Sequence, residues 1–190
     1  MFDPERFIED CRAALGENSP LAAVNEVVQR AVSEPSEIER ALGTPVRGGI
    51  RVLHRSPELT VLNVIWTPEM RAEPHNHCMW ASIGVYGGQE DNAFFRRSPG
   101  ALEQMGERIL EEGQTLTLGE HGIHSVHNSQ LRFTGGLHVY GGDFFAADRR
   151  QWDPVTFEER PFDREATLRI FAEANERWTA KQGLEERTGA

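Results

Sequence analysis

The sequence contains little lysine, little cysteine and no long apolar run. Lysine occurs only at Lys181 and cysteine only at Cys11 and Cys78 in a chain of 190 residues. The chain carries 30 acidic and 20 basic residues, which gives a net charge of −10. Because such a surface repels phosphate backbones and anionic lipid headgroups, we expect neither nucleic acid nor a membrane as a partner.

The segments that the sequence lacks narrow the class of protein further. A transmembrane helix needs a run of about 18 or more apolar residues, and the chain has none. Its first residues, 1–6, lack the basic and then apolar pattern of a signal peptide. The two cysteines lie far apart in dissimilar surroundings, which indicates reduced thiols and not a disulfide framework. We therefore expect a cytoplasmic protein, with a single domain over residues 1–190.

Residues 1–45 are predicted to form a helical extension. A proline begins each of three predicted helices, at Pro4, Pro20 and Pro35, where the missing backbone N–H costs nothing. Asp3 is a good N-cap for the first of them. Apolar residues recur within these segments at the spacing of one helical face.

From about residue 48 the apolar pattern has a period of two, and glycine, proline, asparagine and aspartate separate short runs. Such strands without intervening helices favour an antiparallel sandwich or barrel, here over residues 48–145. The predicted strands are Gly49–His54, Leu59–Trp66, His75–Tyr86, Asp91–Arg97, Arg108–Glu111, Thr115–Leu118, His124–His127 and Leu131–Tyr140.

The C-terminal segment, residues 146–190, is predicted to contain one more helix. Asp163 is its expected N-cap, and residues 181–190 are expected to be a frayed tail. Its predicted apolar face consists of Ala166, Ile170, Phe171, Ala174 and Trp178. The fold class predicted from these patterns is an all-β core with a helical N-terminal extension and a C-terminal helix.

Histidines are the chemically informative residues of the predicted core. His75 and His77 are separated by one residue, so in a strand both imidazoles point to one face and reach one point. Neutral imidazole binds iron, zinc, nickel and copper well. Two solvated surface histidines are the alternative, but the apolar continuation, residues 78–85, does not fit a solvated face.

A second cluster places His121, His124 and His127 three residues apart. The glycines at 119 and 122 argue against a helix there. In a strand, His124 and His127 point to opposite faces, so only one of them faces the core. His121 and His127 are expected to be surface groups or neighbours of a site, and His54 is expected to be structural.

These segments resemble the two motifs of the cupin family, which implies a double-stranded β-helix, or jelly-roll, barrel. His75 and His77 match the paired ligands of the first motif, and His124 and Asn128 match the ligand and final positions of the second. The glutamate ligand of the first motif is absent, since alanine and serine occupy residues 81 and 82. The resemblance therefore implies a metal site of three histidines, His75, His77 and His124.

A three-histidine site without a carboxylate is similar to that of the cysteine dioxygenase branch, the thiol dioxygenases. The resemblance covers roughly residues 48–145 and implies further roles. Arg55 would anchor a substrate carboxylate, Trp80 would wall the pocket, and His138 would hold the Tyr140 hydroxyl, which would donate to bound oxygen. A surface ion pair is the alternative for Arg55, a place in the apolar core is the alternative for Trp80, and barrel-lining without catalysis is the alternative for His138 and Tyr140.

The chain departs from that branch at two positions. Gly136 stands where a serine usually completes a Ser-His-Tyr relay, and Ser82 stands where some members have a cysteine crosslinked to the tyrosine. Cys78 has the opposite face parity to His77 and is not expected to be a ligand. The continuation 141–145 is also similar to bacterial proteins described as predicted metal-dependent double-stranded β-helix enzymes.

The resulting hypothesis is an iron(II) dioxygenase that oxidises a small thiol, a mercapto acid or a cysteine-like compound, to its sulfinate with O2. Zinc, nickel or copper could occupy three imidazoles in a purified sample. The alternatives are a cupin metalloenzyme of other chemistry, such as a non-thiol dioxygenase, and a non-catalytic cupin that binds a small molecule. Either a monomer or a homodimer is compatible with the sequence.

Overall fold

The structure, a computed structural model, describes residues 1–98 and 101–188. Its N-terminal part is helical, with α1 (Pro4–Ala14), α2 (Pro20–Val32) and α3 (Pro35–Leu42) each beginning at a proline, as predicted. The Asp3 carboxylate accepts hydrogen bonds from the backbone N–H groups of residues 5 and 6 and so caps α1.

The rest of the chain up to α4 is built from strands. They are β1 (Gly49–Arg55), β2 (Thr60–Trp66), β3 (Arg71–Asn76), β4 (Ala81–Gly87), β5 (Gln89–Ser98), β6 (Ala101–Glu111), β7 (Thr115–Leu118), β8 (Ile123–His127), β9 (Thr134–Tyr140), β10 (Arg150–Trp152) and β11 (Glu159–Pro161). The C-terminal helix α4 (Arg164–Thr188) follows.

Within the described residues the strands form two antiparallel sheets. One has the order β1-β2-β9-β4-β7, and the other has the order β11-β10-β3-β8-β5-β6. From β3 to β9 the chain passes repeatedly from one sheet to the other, which is the path of a double-stranded β-helix. The predicted all-β core with a helical N-terminal extension and a C-terminal helix is confirmed.

The predicted continuous strand His75–Tyr86 is wrong. The chain leaves β3 after Asn76 and enters β4 at Ala81, and these strands belong to different sheets. The intervening turn includes Cys78, whose φ of 56° lies in the left-handed region. The turn residues Cys78, Met79 and Trp80 form a continuous apolar run that is compatible with a buried strand, so the sequence pattern did not reveal the change of sheet.

Other boundaries also differ from the sequence-based ones. Strand β6 begins at Ala101, seven residues before the predicted start, because this outer strand is mostly exposed and lacks an apolar face. Strands β10 and β11 were not predicted, since each has only three residues. Helix α4 continues to Thr188, so the described residues of the expected frayed tail, 181–188, are helical. Asp163 does cap this helix, accepting from the backbone N–H of Ala166 at 2.8 Å.

The five-stranded sheet carries apolar residues on both faces. On one face Leu137 and Val139 of β9 pack against valines of α2, and Gly84 of β4 lets this helix approach closely. A Cβ atom at Gly84 would lie 2.5 Å from Val28, so any side chain there would displace α2. The opposite face looks into the barrel, where Leu62, Val64 and Trp66 of β2 are buried. No helix among the described residues is long and apolar enough to span a membrane.

Candidate metal centre

Three histidines meet inside the barrel. His75 lies on β3 directly opposite His124 of β8, and His77 follows β3 by one residue. One ring nitrogen from each lies within 4.8 Å of the other two, and the Nε2 atoms of His77 and His124 are 3.4 Å apart. The structure thus brings together the three histidines that the sequence singled out, even though His77 lies beyond the end of the strand.

The spacing between the ring nitrogens of His77 and His124 fits a shared metal ion. Bonds of about 2.1 Å to imidazole at angles of about 90–109° place two ligand nitrogens about 3.0–3.4 Å apart. The Nε2 atoms of His77 and His124 fall within that range. No aspartate, glutamate or cysteine of the described residues joins the cluster, so the set of protein ligands is three neutral imidazoles.

Hydrogen bonds at the far side of two rings select the nitrogen that would face a metal ion. The Nδ1–H of His75 donates to the carbonyl oxygen of Glu73 at 2.8 Å. The Nδ1–H of His124 donates to Oδ1 of Asn92 on β5, which is buried, at 2.9 Å. With Nδ1 protonated, each Nε2 carries a lone pair toward the cluster, which is the tautomer that a metal requires.

Burial keeps these imidazoles neutral. Desolvation is the main cause that lowers the pKa of His75 to about 4, and the nearby Arg149 adds to it. Desolvation also holds the pKa of His77 and His124 well below the ordinary value, and repulsion between the histidines lowers both further. Because a metal binds the unprotonated ring, all three are ready as ligands at neutral pH.

The histidines open onto a cavity of about 170 Å³. Aliphatic and aromatic side chains from both sheets and from the first turns of α4 form most of its wall, so an apolar part of a ligand would be well accommodated. Among those lining it are Ile50, Leu62, Val64, Phe144, Phe162 and Phe171.

A buried arginine supplies a positive charge in this cavity. Arg149 is only 5% exposed, and its guanidinium lies 3.8 Å from the ring centroids of both Phe144 and Phe162. Its Nε and Nη1 atoms are buried without a hydrogen-bond partner among the described residues. Burial lowers the pKa of Arg149 to about 10, which still leaves the guanidinium charged at neutral pH.

His138 and Tyr140 also line the cavity. They share one face of β9, and Nδ1 of His138 lies 3.2 Å from the Tyr140 hydroxyl. The Tyr140 ring packs edge-on against His77, with centroids 5.0 Å apart. Burial raises the pKa of Tyr140 far above its ordinary value, so the phenol keeps its proton.

Arg55 and Trp80 lie outside the lining of this cavity. Arg55 is exposed, and its guanidinium forms two hydrogen bonds of 2.9 Å with the carboxylate of Asp143, which is the surface ion pair considered as an alternative. Trp80 packs against the apolar cluster beneath the N-terminal helices.

The remaining sequence candidates lie at the margins of the site. His121 is exposed, and His127 is partly buried on the face of β8 opposite to that of His124, near Asp91. Cys78 is exposed in the turn after His77 and does not join the histidine cluster. Ser82 donates to Asn25 of α2, on the helical side of the sheet.

Three residues of the site were missed at the sequence level, namely Asn92, Arg149 and Glu90. Glu90 and Asn92 lie in a run of four polar residues, 89–92, where no alternation separates a buried from an exposed position. Arg149 lies beyond the predicted barrel, in a stretch that contains two adjacent arginines. Their role follows only from the three-dimensional contacts.

No protein-family model and no curated protein matches the chain. Solved structures do resemble it in part. An uncharacterised protein with a double-stranded β-helix domain from Klebsiella pneumoniae is 13% identical, with a TM-score of 0.45, over 57% of this chain and 81% of its own. A cupin-family protein from Methanocaldococcus jannaschii is 8% identical, with a TM-score of 0.45, over 54% and 85%. A protein from Bacillus halodurans is 15% identical, with a TM-score of 0.48, over 57% and 76%.

Proposed function

We propose that the protein is a mononuclear non-haem iron(II) dioxygenase that oxidises a small mercapto acid to its sulfinate. The observation that carries the proposal is the cluster of three neutral imidazoles without a carboxylate ligand. Three imidazoles leave a dication its full charge and leave coordination positions open on one side. That arrangement favours an anionic thiolate as a further ligand. The choice of iron among the possible metals comes from the resemblance to the thiol dioxygenases.

Arg149 supports an acidic substrate. An unpaired guanidinium inside an apolar cavity is costly unless an anion binds there, and its planar fork suits a carboxylate. Since Arg55 is already paired with Asp143 outside the cavity, we assign to Arg149 the anchoring role that the resemblance gives to Arg55. A mercapto acid would then place its sulfur at the histidines and its carboxylate at Arg149.

The overall reaction converts a thiol and O2 into a sulfinate and a proton. Both oxygen atoms are added to sulfur, which is oxidised while dioxygen is reduced. Bound iron(II) supplies a site that stabilises the thiolate and the electrons that activate dioxygen. The chain itself contributes the neutral ligands, the cation that holds the carboxylate and an apolar wall that excludes bulk water from the reacting atoms.

The experiment is oxygen consumption by protein loaded anaerobically with one equivalent of iron(II). We expect uptake with 3-mercaptopropionate or cysteine and a product heavier than the thiol by two oxygen atoms. Zinc-loaded protein and a His124→Ala variant serve as controls and should consume none. Stoichiometric iron without uptake across a panel of mercapto acids would overturn the proposal.

A second candidate is a non-thiol dioxygenase of the same fold. The apolar lining of the cavity favours it, because a short mercapto acid offers little surface to so many aliphatic and aromatic side chains. A β-diketone such as 2,4-pentanedione would be cleaved between carbon atoms in that case. Oxygen uptake with the diketone, but not with thiols, would establish this reaction in place of the first.

A further inference from the structure

Glu90 is a buried acid next to the candidate site. Its side chain on β5 is 0% exposed, and no other aspartate or glutamate among the described residues is buried. Its Oε1 atom accepts a hydrogen bond from the indole N–H of Trp66 at 2.6 Å and lies 3.2 Å from Nε2 of His138. Burying a carboxyl group in this position is costly unless neighbouring groups form hydrogen bonds with it.

The contacts of Glu90 lead to the histidine cluster. His138 meets Glu90 through Nε2 and the Tyr140 hydroxyl through Nδ1, each at 3.2 Å. Tyr140 in turn packs against His77. Carboxylate, imidazole and phenol therefore form an unbroken chain that ends at a residue of the candidate metal centre.

Gly136 explains why this acid comes from another strand. A Cβ atom at Gly136 would lie 3.0 Å from Nε2 of His138 and 3.3 Å from Oε1 of Glu90. The carboxylate therefore occupies the space next to His138 that a side chain from β9 itself would fill.

The donors around Oε1 determine where the proton of His138 lies. Oε1 already accepts from Trp66, so it meets Nε2 of His138 as an acceptor, and Nε2 carries the proton.

We propose that Glu90 is the positioning residue of the Tyr140 hydroxyl. By accepting the Nε2–H of His138, it leaves Nδ1 unprotonated, and Nδ1 accepts the hydroxyl proton of Tyr140. The Tyr140 oxygen then presents a lone pair to the cavity, where it would accept a hydrogen bond from a water molecule or from an amino group of the substrate. This deepens the proposed function and rests on it for the substrate, and it reverses the direction of the hydrogen bond expected from the sequence.

Nitrogen-15 NMR of the zinc-loaded, diamagnetic protein tests this without turnover. The ring nitrogens of His138, assigned by their loss in His138→Phe, report which one is protonated. We expect a protonated Nε2 and an unprotonated Nδ1. A protonated Nδ1 with a bare Nε2 would overturn the proposal. A failure of thiol oxidation would overturn the proposed function and would leave this result in place.

Two variants at Glu90 separate orientation from folding. Glu90→Gln keeps an oxygen acceptor for Trp66 and His138, whereas Glu90→Leu removes it at similar volume. We expect Glu90→Leu to lose the single His138 tautomer and to lower kcat by roughly 10- to 100-fold, with KM and zinc content unchanged. Glu90→Gln should keep the His138 tautomer and kcat of the wild type. An unchanged tautomer and kcat in Glu90→Leu would overturn the proposal. If the leucine variant does not fold, the wild-type tautomer decides alone.

Discussion

The two faces of strand β9 belong to regions built from different chemistry. Leu137 and Val139 face the helical layer and are fully buried among aliphatic side chains. His138 and Tyr140 alternate with them and face the cavity. A single strand of seven residues thus contributes to the packing of the helices on one side and to the candidate site on the other.

The hydrogen bonding of buried polar groups differs between the two regions. On the helical side the buried Tyr86 hydroxyl donates to Asn63 at 2.8 Å. Around the cavity, Arg149, His77 and Glu90 each keep at least one buried polar atom without a partner among the described residues. Such an atom costs about 1–3 kcal/mol. Glu37 and His54, outside the cavity lining, also have one such atom each, but the unpartnered nitrogens of Arg149 and His77 belong to side chains that line one cavity, which suits a ligand.

The largest difference between the two regions is expected from His124→Ala and Leu137→Ala. Loss of one of three ligands should weaken metal binding by more than about 100-fold and abolish oxygen uptake, with little loss of stability in the metal-free protein. Leu137→Ala should lower the free energy of unfolding by about 2–5 kcal/mol because it leaves a cavity under α2. Elemental analysis and urea denaturation measure the two effects.

The comparison would fail if these effects were exchanged. Full metal content in His124→Ala would show that the histidines do not form the metal site. A drop in the metal content of folded Leu137→Ala would show that the helical side is coupled to the site.

The second largest difference is expected between two arginines, Arg149 buried in the cavity and Arg55 exposed outside its lining. Arg149→Met should raise KM for a mercapto acid by roughly 10- to 100-fold, since a charge-assisted hydrogen bond contributes about 1.5–3 kcal/mol. The same change should leave stability equal or increased, because a buried unpaired charge is removed. Steady-state oxygen uptake and thermal denaturation measure both.

Arg55→Met is the matched control for that substitution. Its guanidinium is exposed and paired with Asp143, so KM should stay within about 3-fold of the wild type and stability within about 1 kcal/mol. A larger rise in KM for Arg55→Met than for Arg149→Met would assign the role of carboxylate anchor to Arg55 and not to Arg149.

The arginines also show what the sequence could predict. The three histidines were found because their spacing and apolar surroundings are local properties of the chain, although the strand that carries His75 was predicted with the wrong bounds. Arg149 lies close to Asp143 in sequence, yet Asp143 pairs with the distant Arg55. Nothing local distinguishes an arginine that pairs with a carboxylate from one that is enclosed by Phe144 and Phe162. Pairing of this kind depends on contacts over long separations.

Strand boundaries show the same limit at the level of the fold. The sequence pattern predicted one continuous strand through residues 77–80 and missed the turn, since the residues there are as apolar as those of a strand. The helices were predicted accurately at their starts, because proline and Asp3 act on the nearest backbone groups. Local chemistry thus determined element starts, and packing between sheets determined where the chain turned.

A smaller difference is expected between two buried asparagines. Asn92→Ala removes the acceptor of the His124 Nδ1–H and should weaken metal binding by roughly 10- to 100-fold. Asn63→Ala leaves the Tyr86 hydroxyl without its acceptor and should cost about 1–3 kcal/mol of stability with metal affinity unchanged. Competition with a chromogenic chelator measures affinity, and equal affinities in both variants would contradict the assigned role of Asn92.

The smallest functional effect is expected from the two thiols, which also lie on different sides. Cys11 is fully buried in the helical layer, and burial raises its pKa to about 12 from an ordinary value of 9.0, so at pH 8 it stays protonated and covered. Cys78 is exposed in the turn beside the site. Iodoacetamide should therefore modify Cys78 within minutes and Cys11 only at the rate of unfolding, as followed by intact mass. Among the described residues the Cys78 thiol donates one hydrogen bond, to the Asp148 carbonyl oxygen, so Cys78→Ser should change oxygen uptake by less than about 3-fold. Rapid modification of Cys11 in the folded protein would show that the helical layer opens easily, and that the contrast between a rigid supporting side and a ligand-binding side is weaker than the packing indicates.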